Sequence, residues 1–115
     1  VHVDPSSLWW VGVLYLTLPE HCQGGTLFYR HKELGLDRTP ENEADLKKVG
    51  VNSVADLLER DGNDMDKWEH TMTLPMRFNR LVLYRPWLWH TAGPGFGGSI
   101  EDGRLIQVFA FGRGQ

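Results

Sequence analysis

The sequence has only one cysteine, no long apolar run and no excess of basic residues. One cysteine, Cys22, excludes an internal disulfide, and we therefore expect a reducing compartment, the cytoplasm. No run of 18 apolar residues is present, so the sequence predicts no membrane span. The formal charge of −3 and the lack of a basic stripe predict that nucleic acid is not a partner.

The chain has enough apolar material for the core of one domain. Of its 115 residues 41% are hydrophobic, and Trp, Phe and Tyr number 5, 5 and 3. The charge is uneven, because residues 31–70 hold 11 of the 15 acids and 6 of the 12 bases, a net −5. The rest of the chain is therefore +2, which suits an anionic small molecule.

Most of the chain has the composition and alternation of β-strands. The first strand, residues 8–18, is apolar on both faces, which predicts a central strand covered on each side. A turn at residues 19–25 predicts that it forms a hairpin with the next strand. Together the segments predict a sandwich or jelly roll. The further predicted strands are residues 26–30, 68–74, 80–85, 88–92 and 104–111.

Residues 36–66 form a polar insertion with helical punctuation. Thr39 before Pro40 predicts the start of one helix, and Gly50 is typical of its end. A second helix is predicted to start at Ser53, which resembles the first residue of a capping box. Two interpretations stay open: a solvated insertion on the scaffold, or a lid over a substrate.

His2 and Asp4 are separated by one residue in an extended segment. Side chains alternate along a strand, so these two point the same way, about 6.5 to 7 Å apart. With His90 as a third ligand they would complete the 2-His-1-carboxylate set typical of non-haem Fe(II). The alternatives are an exposed tail for His2 and Asp4 and a core histidine at His90. A metal ligand is normally held by a neighbouring strand and by hydrogen-bond partners around it. His2 is the second residue, so we expect that the sequence is a fragment that lacks at least one strand before His2.

A series of short motifs carries a resemblance over residues 2 to about 112, apart from the insertion. The motifs are, in order, H-V-D, V-L-Y-L, G-G-T-L-F, N-R-L-V-L-Y, H-T-A and G-R-L-I-Q-V-F. Their order resembles the core of the Fe(II)- and 2-oxoglutarate-dependent dioxygenases, and most of all the prolyl-hydroxylase-like branch with its uncharacterised bacterial relatives. The resemblance implies a mainly β, double-stranded β-helix (jelly-roll) domain over residues 1–115, with the insertion inside it and its first strand or strands missing.

The same resemblance implies the cofactors and their ligands. Fe(II) is expected on His2, Asp4 and His90, and the cosubstrate 2-oxoglutarate on Arg104 and Tyr15 through its distal carboxylate. An arginine suits that group because its planar fork donates two parallel hydrogen bonds. Left open are a surface salt bridge for Arg104, with Asp102 or Glu101, and plain core packing for Tyr15.

The implied reaction is hydroxylation of a C–H bond with release of succinate and CO₂. An aspartate among the ligands leaves no vacancy for a halide, so hydroxylation is expected rather than halogenation. The expected partner is a small-molecule or peptidyl substrate, such as an amino acid or a natural-product intermediate. A cupin-like jelly-roll domain that binds a ligand or serves as a scaffold, without oxygenase activity, is the alternative.

Overall fold

The computed structural model describes residues 1–112, which are mainly β with two short helices. The strands form two antiparallel three-stranded sheets, one with the order β4-β1-β6 and the other with the order β3-β2-β5. No helix among the described residues is long and apolar enough to cross a membrane. The strands are β1 Leu8–Tyr15, β2 Gly25–His31, β3 Trp68–Pro75, β4 Leu81–Tyr84, β5 His90–Thr91 and β6 Ile106–Gly112, and the helices are α1 Glu43–Lys48 and α2 Val54–Asp61.

The first sheet buries one of its two faces. Val11 and Val13 of β1 stand opposite Tyr84 and Val82 of β4, and all four are buried in the cluster between the sheets. The opposite face is exposed, as shown by Trp10, Leu83 and Phe111 with 37, 50 and 47% of their surface accessible. The prediction that β1 is covered on both faces is therefore wrong for the described residues.

The predicted hairpin between the first two long strands is also wrong. β1 pairs with β4 and β6, whereas β2 pairs with β3 and β5. The connection contains a 3-10 helix at Pro19–His21, and it leads the chain from one sheet to the other instead of reversing it within a sheet. A turn composition alone does not distinguish these two paths.

β2 packs on both of its faces. Phe28 lies in the cluster between the sheets, whereas Leu27 and Tyr29, on the opposite face, pack in a second cluster on the outer side of the sheet, as ordinary strand alternation requires. In the pairing with β3 the register shifts between Phe28 and Tyr29, and the extra residue is Thr71 of β3. One strand thereby contributes to two cores.

The insertion covers the outer face of the second sheet. Leu46 of α1 and Leu57 of α2 are 5 and 0% exposed and pack in the cluster that contains Trp68 and Trp89. The insertion therefore packs on the scaffold through one face of its helices, while more than half of its residues are exposed, and its role as a lid stays a prediction. The two helices complete this hydrophobic cluster. The packing in turn stabilises the helices, because isolated helices of this length are only marginally stable in water.

The ends of the two helices were predicted unequally well. Ser53 caps α2 by accepting a hydrogen bond from the amide of Asp56, as predicted. The predicted start at Thr39 is wrong, because α1 is capped by Asn42. The amide of Thr39 instead donates to the carbonyl of Trp87 at 3.0 Å, so tertiary pairing keeps this segment extended.

A buried hydrogen bond between His31 and Asp61 fastens α2 to β2. The amide of Leu34 donates to Nδ1 of His31, so Nε2 carries the proton that reaches Asp61 Oδ2 at 2.8 Å. Arg60 donates to both carboxylate oxygens of Asp61, at 2.9 and 3.0 Å. These hydrogen bonds, from Arg60 first and then from His31, hold the pKa of Asp61 below its usual value.

Candidate metal centre

The opening segment of the chain is fixed against β5 by backbone hydrogen bonds. His2 and His90 exchange two of them, at 2.9 and 3.1 Å, and the amide of Asp4 donates to the carbonyl of Pro86 at 2.9 Å. In such a reciprocal antiparallel pair the two side chains lie on the same face. The backbone therefore places both imidazoles side by side before any metal is considered.

Alternation then brings the carboxylate to the same place. Val1 and Val3 pack against the cluster beneath the helices, so the side chains of His2 and Asp4 lie on the opposite face. One ligand atom each from His2, Asp4 and His90 lie within 4.8 Å of one another. The two imidazole rings meet edge to face with their centroids 4.3 Å apart. Three of the predicted site residues thus converge.

Two hydrogen-bond acceptors face each other in this cluster. Nδ1 of His90 lies 2.7 Å from the carbonyl of Leu88, which can only accept, so Nδ1 carries the proton of the neutral imidazole. The lone pair of Nε2 then points toward Asp4 Oδ2, 3.1 Å away. That oxygen is buried and has no hydrogen-bond partner among the described residues. A cation between the two atoms would satisfy both, so the donor set fits a metal.

The electrostatics around His2 favour its neutral form. Burial lowers the pKa of His2 most, and the neighbouring His90 lowers it further, while Asp4 opposes both. A metal ligand must be a neutral imidazole, because a proton on the coordinating nitrogen competes with the ion. His2 is therefore suited to coordination at neutral pH.

A cavity of about 150 Å³ lies between the sheets with this cluster in its wall. Val11 and Val13 give it an apolar floor, and Arg104 lines it from the segment before β6. The Arg104 guanidinium donates to the carbonyl of Ala92. Thr17 positions the arginine, because its hydroxyl donates to the carbonyl of Gly103 and accepts from the amide of Leu105. Hydrogen bonds on both neighbours thus fix the backbone that carries Arg104.

Tyr84 is a member of the cavity wall that the sequence analysis missed. Its ring lies 4.8 Å from that of His90 between centroids. Burial raises the pKa of Tyr84 most, and the negative charge of Asp4 adds to the effect, while Arg104 acts against it. The signal was present, since the alternation in R-L-V-L-Y-R places Tyr84 on the same face as Val82.

Tyr15 lies apart from the cavity wall. Its hydroxyl shares a hydrogen bond of 2.6 Å with the hydroxyl of Thr26 and donates to the carbonyl of Leu74 at 3.3 Å. Thr26 lines the cavity. The structure thus brings His2, Asp4, His90 and Arg104 together around one cavity and places Tyr15 behind Thr26. A role of Tyr15 in binding a cosubstrate stays a prediction.

The comparisons with known proteins yield one match. A family model described as a family of unknown function, DUF6445, matches residues 2–105. This range includes the whole cluster of His2, Asp4 and His90, and also Arg104. Comparison with curated proteins and with solved structures found no match.

Proposed function

We propose that this chain, which belongs to the DUF6445 family, is an Fe(II)- and 2-oxoglutarate-dependent oxygenase that hydroxylates a C–H bond of a small-molecule or peptidyl substrate. The observation that carries the proposal is the convergence of two imidazoles and one carboxylate within 4.8 Å, in the wall of a cavity that also contains an arginine. The two sheets that face each other across this cavity support a double-stranded β-helix as the fold.

His2, Asp4 and His90 would hold the iron. Two imidazoles and one carboxylate leave coordination positions open, as non-haem Fe(II) oxygenases require. When bound, Fe(II) supplies O₂ activation coupled to decarboxylation of the 2-oxo acid to succinate and CO₂. The hydrogen bond from His90 Nδ1 to the carbonyl of Leu88 fixes the orientation of the ring and raises the basicity of Nε2.

Arg104 and Tyr84 would bind the distal carboxylate of 2-oxoglutarate. In exchanging the carbonyl of Ala92 for a carboxylate, Arg104 replaces a neutral acceptor with an anionic one, to which its planar fork can donate two parallel hydrogen bonds. Because the pKa of Tyr84 is raised, its hydroxyl stays protonated and can donate. The cavity of about 150 Å³ is smaller than the about 300–1,000 Å³ of sites for drug-sized ligands. It therefore suits a small dicarboxylic acid, and the primary substrate has to bind elsewhere.

The test measures Fe(II) binding and succinate formation from 2-oxoglutarate by the full chain. His90→Ala should weaken iron binding by more than the about 10- to 100-fold that loss of an outer-sphere partner costs, and succinate formation should disappear. His70→Ala is the matched control, because His70 is exposed on β3, where its ring hydrogen-bonds to Thr73 and contacts the ring of Tyr29, away from the cluster. Arg104→Ala should keep the metal while 2-oxoglutarate no longer changes the metal's absorption spectrum.

Two outcomes would contradict the proposal. If the native chain binds no iron, the cluster is not an iron site and the oxygenase proposal fails. If iron binds, but 2-oxoglutarate does not change the absorption spectrum of the iron and no succinate forms, a cupin-like binding domain is the better description.

A further inference from the structure

A second cavity lies on the other side of Asp4. It has a volume of about 470 Å³, and its lining includes Asp4, Arg38 and Trp87 together with apolar groups of Val3, Pro40 and Val54. Asp4 therefore lines both cavities, the small one between the sheets and this larger one. A molecule bound here would lie next to a ligand of the proposed iron.

The wall of this cavity is tied to the segment that carries His90. Arg38 and Leu88 form an antiparallel bridge, and the amide of Thr39 donates to the carbonyl of Trp87 at 3.0 Å. The insertion thus contributes Arg38 and the apolar residues at a fixed distance from the metal ligands. A site built on paired backbone holds its ligand more precisely than one on a free loop.

Among the described residues, Arg38 is the only cation in the lining of this cavity. Its guanidinium lies over the ring of Trp87, 5.0 Å from the centroid, and Nε donates to the carbonyl of Thr39 at 3.2 Å. Its remaining partner is Glu41, at 3.6 Å, whose side chain is 80% exposed. Exposed ion pairs of this kind contribute little, so a bound anion can replace Glu41.

In the metal-free chain the surroundings of Arg38 select for one negative charge and not two. Asp4 and Glu41 are both acidic, and Arg38 is the one cation among the described lining residues that opposes them. A phosphate monoester carries about −1.5 to −2 at neutral pH, whereas a carboxylate carries one charge. The indole of Trp87 and the apolar lining then suit an apolar body attached to the carboxylate.

We propose that this second cavity is the primary-substrate site, and that it binds a monocarboxylic acid with an apolar body, its carboxylate on Arg38 and its body against Trp87. This inference rests on the proposed function, because it takes Asp4 as an iron ligand. It makes the insertion part of the wall of a substrate site, which is a more specific role than the lid that the sequence analysis left open.

The test compares phenylacetate with its neutral isostere phenylacetamide by NMR titration of the full chain, following the indole signal of Trp87. We expect the acid to bind about 10- to 100-fold more tightly than the amide, because a charge-assisted hydrogen bond is gained. Arg38→Met should remove this preference, and Arg38→Lys should keep part of it. Arg30→Met is the control, since Arg30 is exposed on β2 and pairs with Glu69.

Equal affinity for acid and amide in the native chain would overturn the proposal, as would a preference for phenyl phosphate over phenylacetate. An unchanged preference in Arg38→Met would overturn it too. The two proposals fail separately, because His90→Ala removes a metal ligand and leaves Arg38 and Trp87 intact. Selective phenylacetate binding without any iron binding would refute the oxygenase and keep the acid site. Iron- and 2-oxoglutarate-dependent turnover without that selectivity would do the reverse.

Discussion

Replacing Asp4 by asparagine should stabilise the metal-free protein. In the native chain Asp4 Oδ2 is buried without a hydrogen bond and faces the lone pair of His90 Nε2 at 3.1 Å. In Asp4→Asn an amide N–H can occupy that position and donate to Nε2. A clash between two acceptors then becomes a hydrogen bond.

The size of the effect follows from the unsatisfied acceptor. Leaving a buried polar group without a partner costs about 1–3 kcal/mol. The side chain of Asp4 is 24% exposed, so we expect the lower part of this range, about 1–2 kcal/mol. For a domain of this size that corresponds to an increase in Tm of roughly 4–8 °C.

Bound metal should make the native chain more stable than Asp4→Asn, the reverse of the order without metal. A metal that binds only the folded native chain stabilises it by about 2.7 kcal/mol at a concentration of 100 times its Kd. Asp4→Asn has lost the carboxylate ligand and should gain little. The assay is urea unfolding with a chelator and again with Mn(II), a hard divalent ion that suits carboxylate ligands. Asp37→Asn, at an exposed aspartate, is the control and should stay within about 0.5 kcal/mol of native.

A chelator-treated Asp4→Asn protein that is less stable than the native chain would refute this reasoning. It would mean that His90 is doubly protonated and forms an ion pair with Asp4. The cluster would then be a structural salt bridge, and the argument for a cation between the two acceptors would lose its basis.

Three further predictions concern stability. Asp61→Asn should cost about 1.5–3 kcal/mol at pH 7, because the hydrogen bonds that His31 and Arg60 donate to a buried carboxylate are lost or weakened. The pKa of Asp61 is lowered in the folded state. The stability that the native chain has over Asp61→Asn is therefore present above about pH 4 and is lost as the pH falls through that lowered pKa. Urea unfolding at pH 7 and pH 3 checks both points. Leu57→Ala should cost about 2–5 kcal/mol in the same assay, because a fully buried side chain leaves a cavity. For Tyr84, whose pKa is raised, stability should fall as the pH rises above about 10, and thermal melts of Tyr84→Phe from pH 8 to 11.5 should show a smaller fall.

The sequence predicted features that depend on neighbouring residues. β3 was expected at residues 68–74 and runs from Trp68 to Pro75, because alternation and the terminal proline are local signals. The shared face of His2 and Asp4 follows from the same two-residue period. The capping of α2 by Ser53 is likewise a contact between residues three apart.

Features that depend on distant residues were not predictable. β1 and β2 were expected to pair, but strand partners depend on which buried faces meet, and composition does not specify that. Arg38 and Trp87 were not connected, since nothing local indicates that their segments form a bridge. The tyrosine in the cavity wall was expected to be Tyr15 and is Tyr84. Both side chains face the space between the sheets, and the position of each along its strand decides which one reaches the cavity. A single sequence does not give that position.

The reciprocal hydrogen bonds between His2 and His90 join two segments that lie almost the whole chain apart. A metal shared by these two residues would act as a removable cross-link that closes a very long loop, and cross-links of long loops restrict the unfolded chain most. The supply of iron would then determine how long the protein resists proteolysis, in addition to whether it catalyses its reaction. Stripping the ion would release the opening segment from β5 first, and its amides would exchange with solvent before those of β1 and β2.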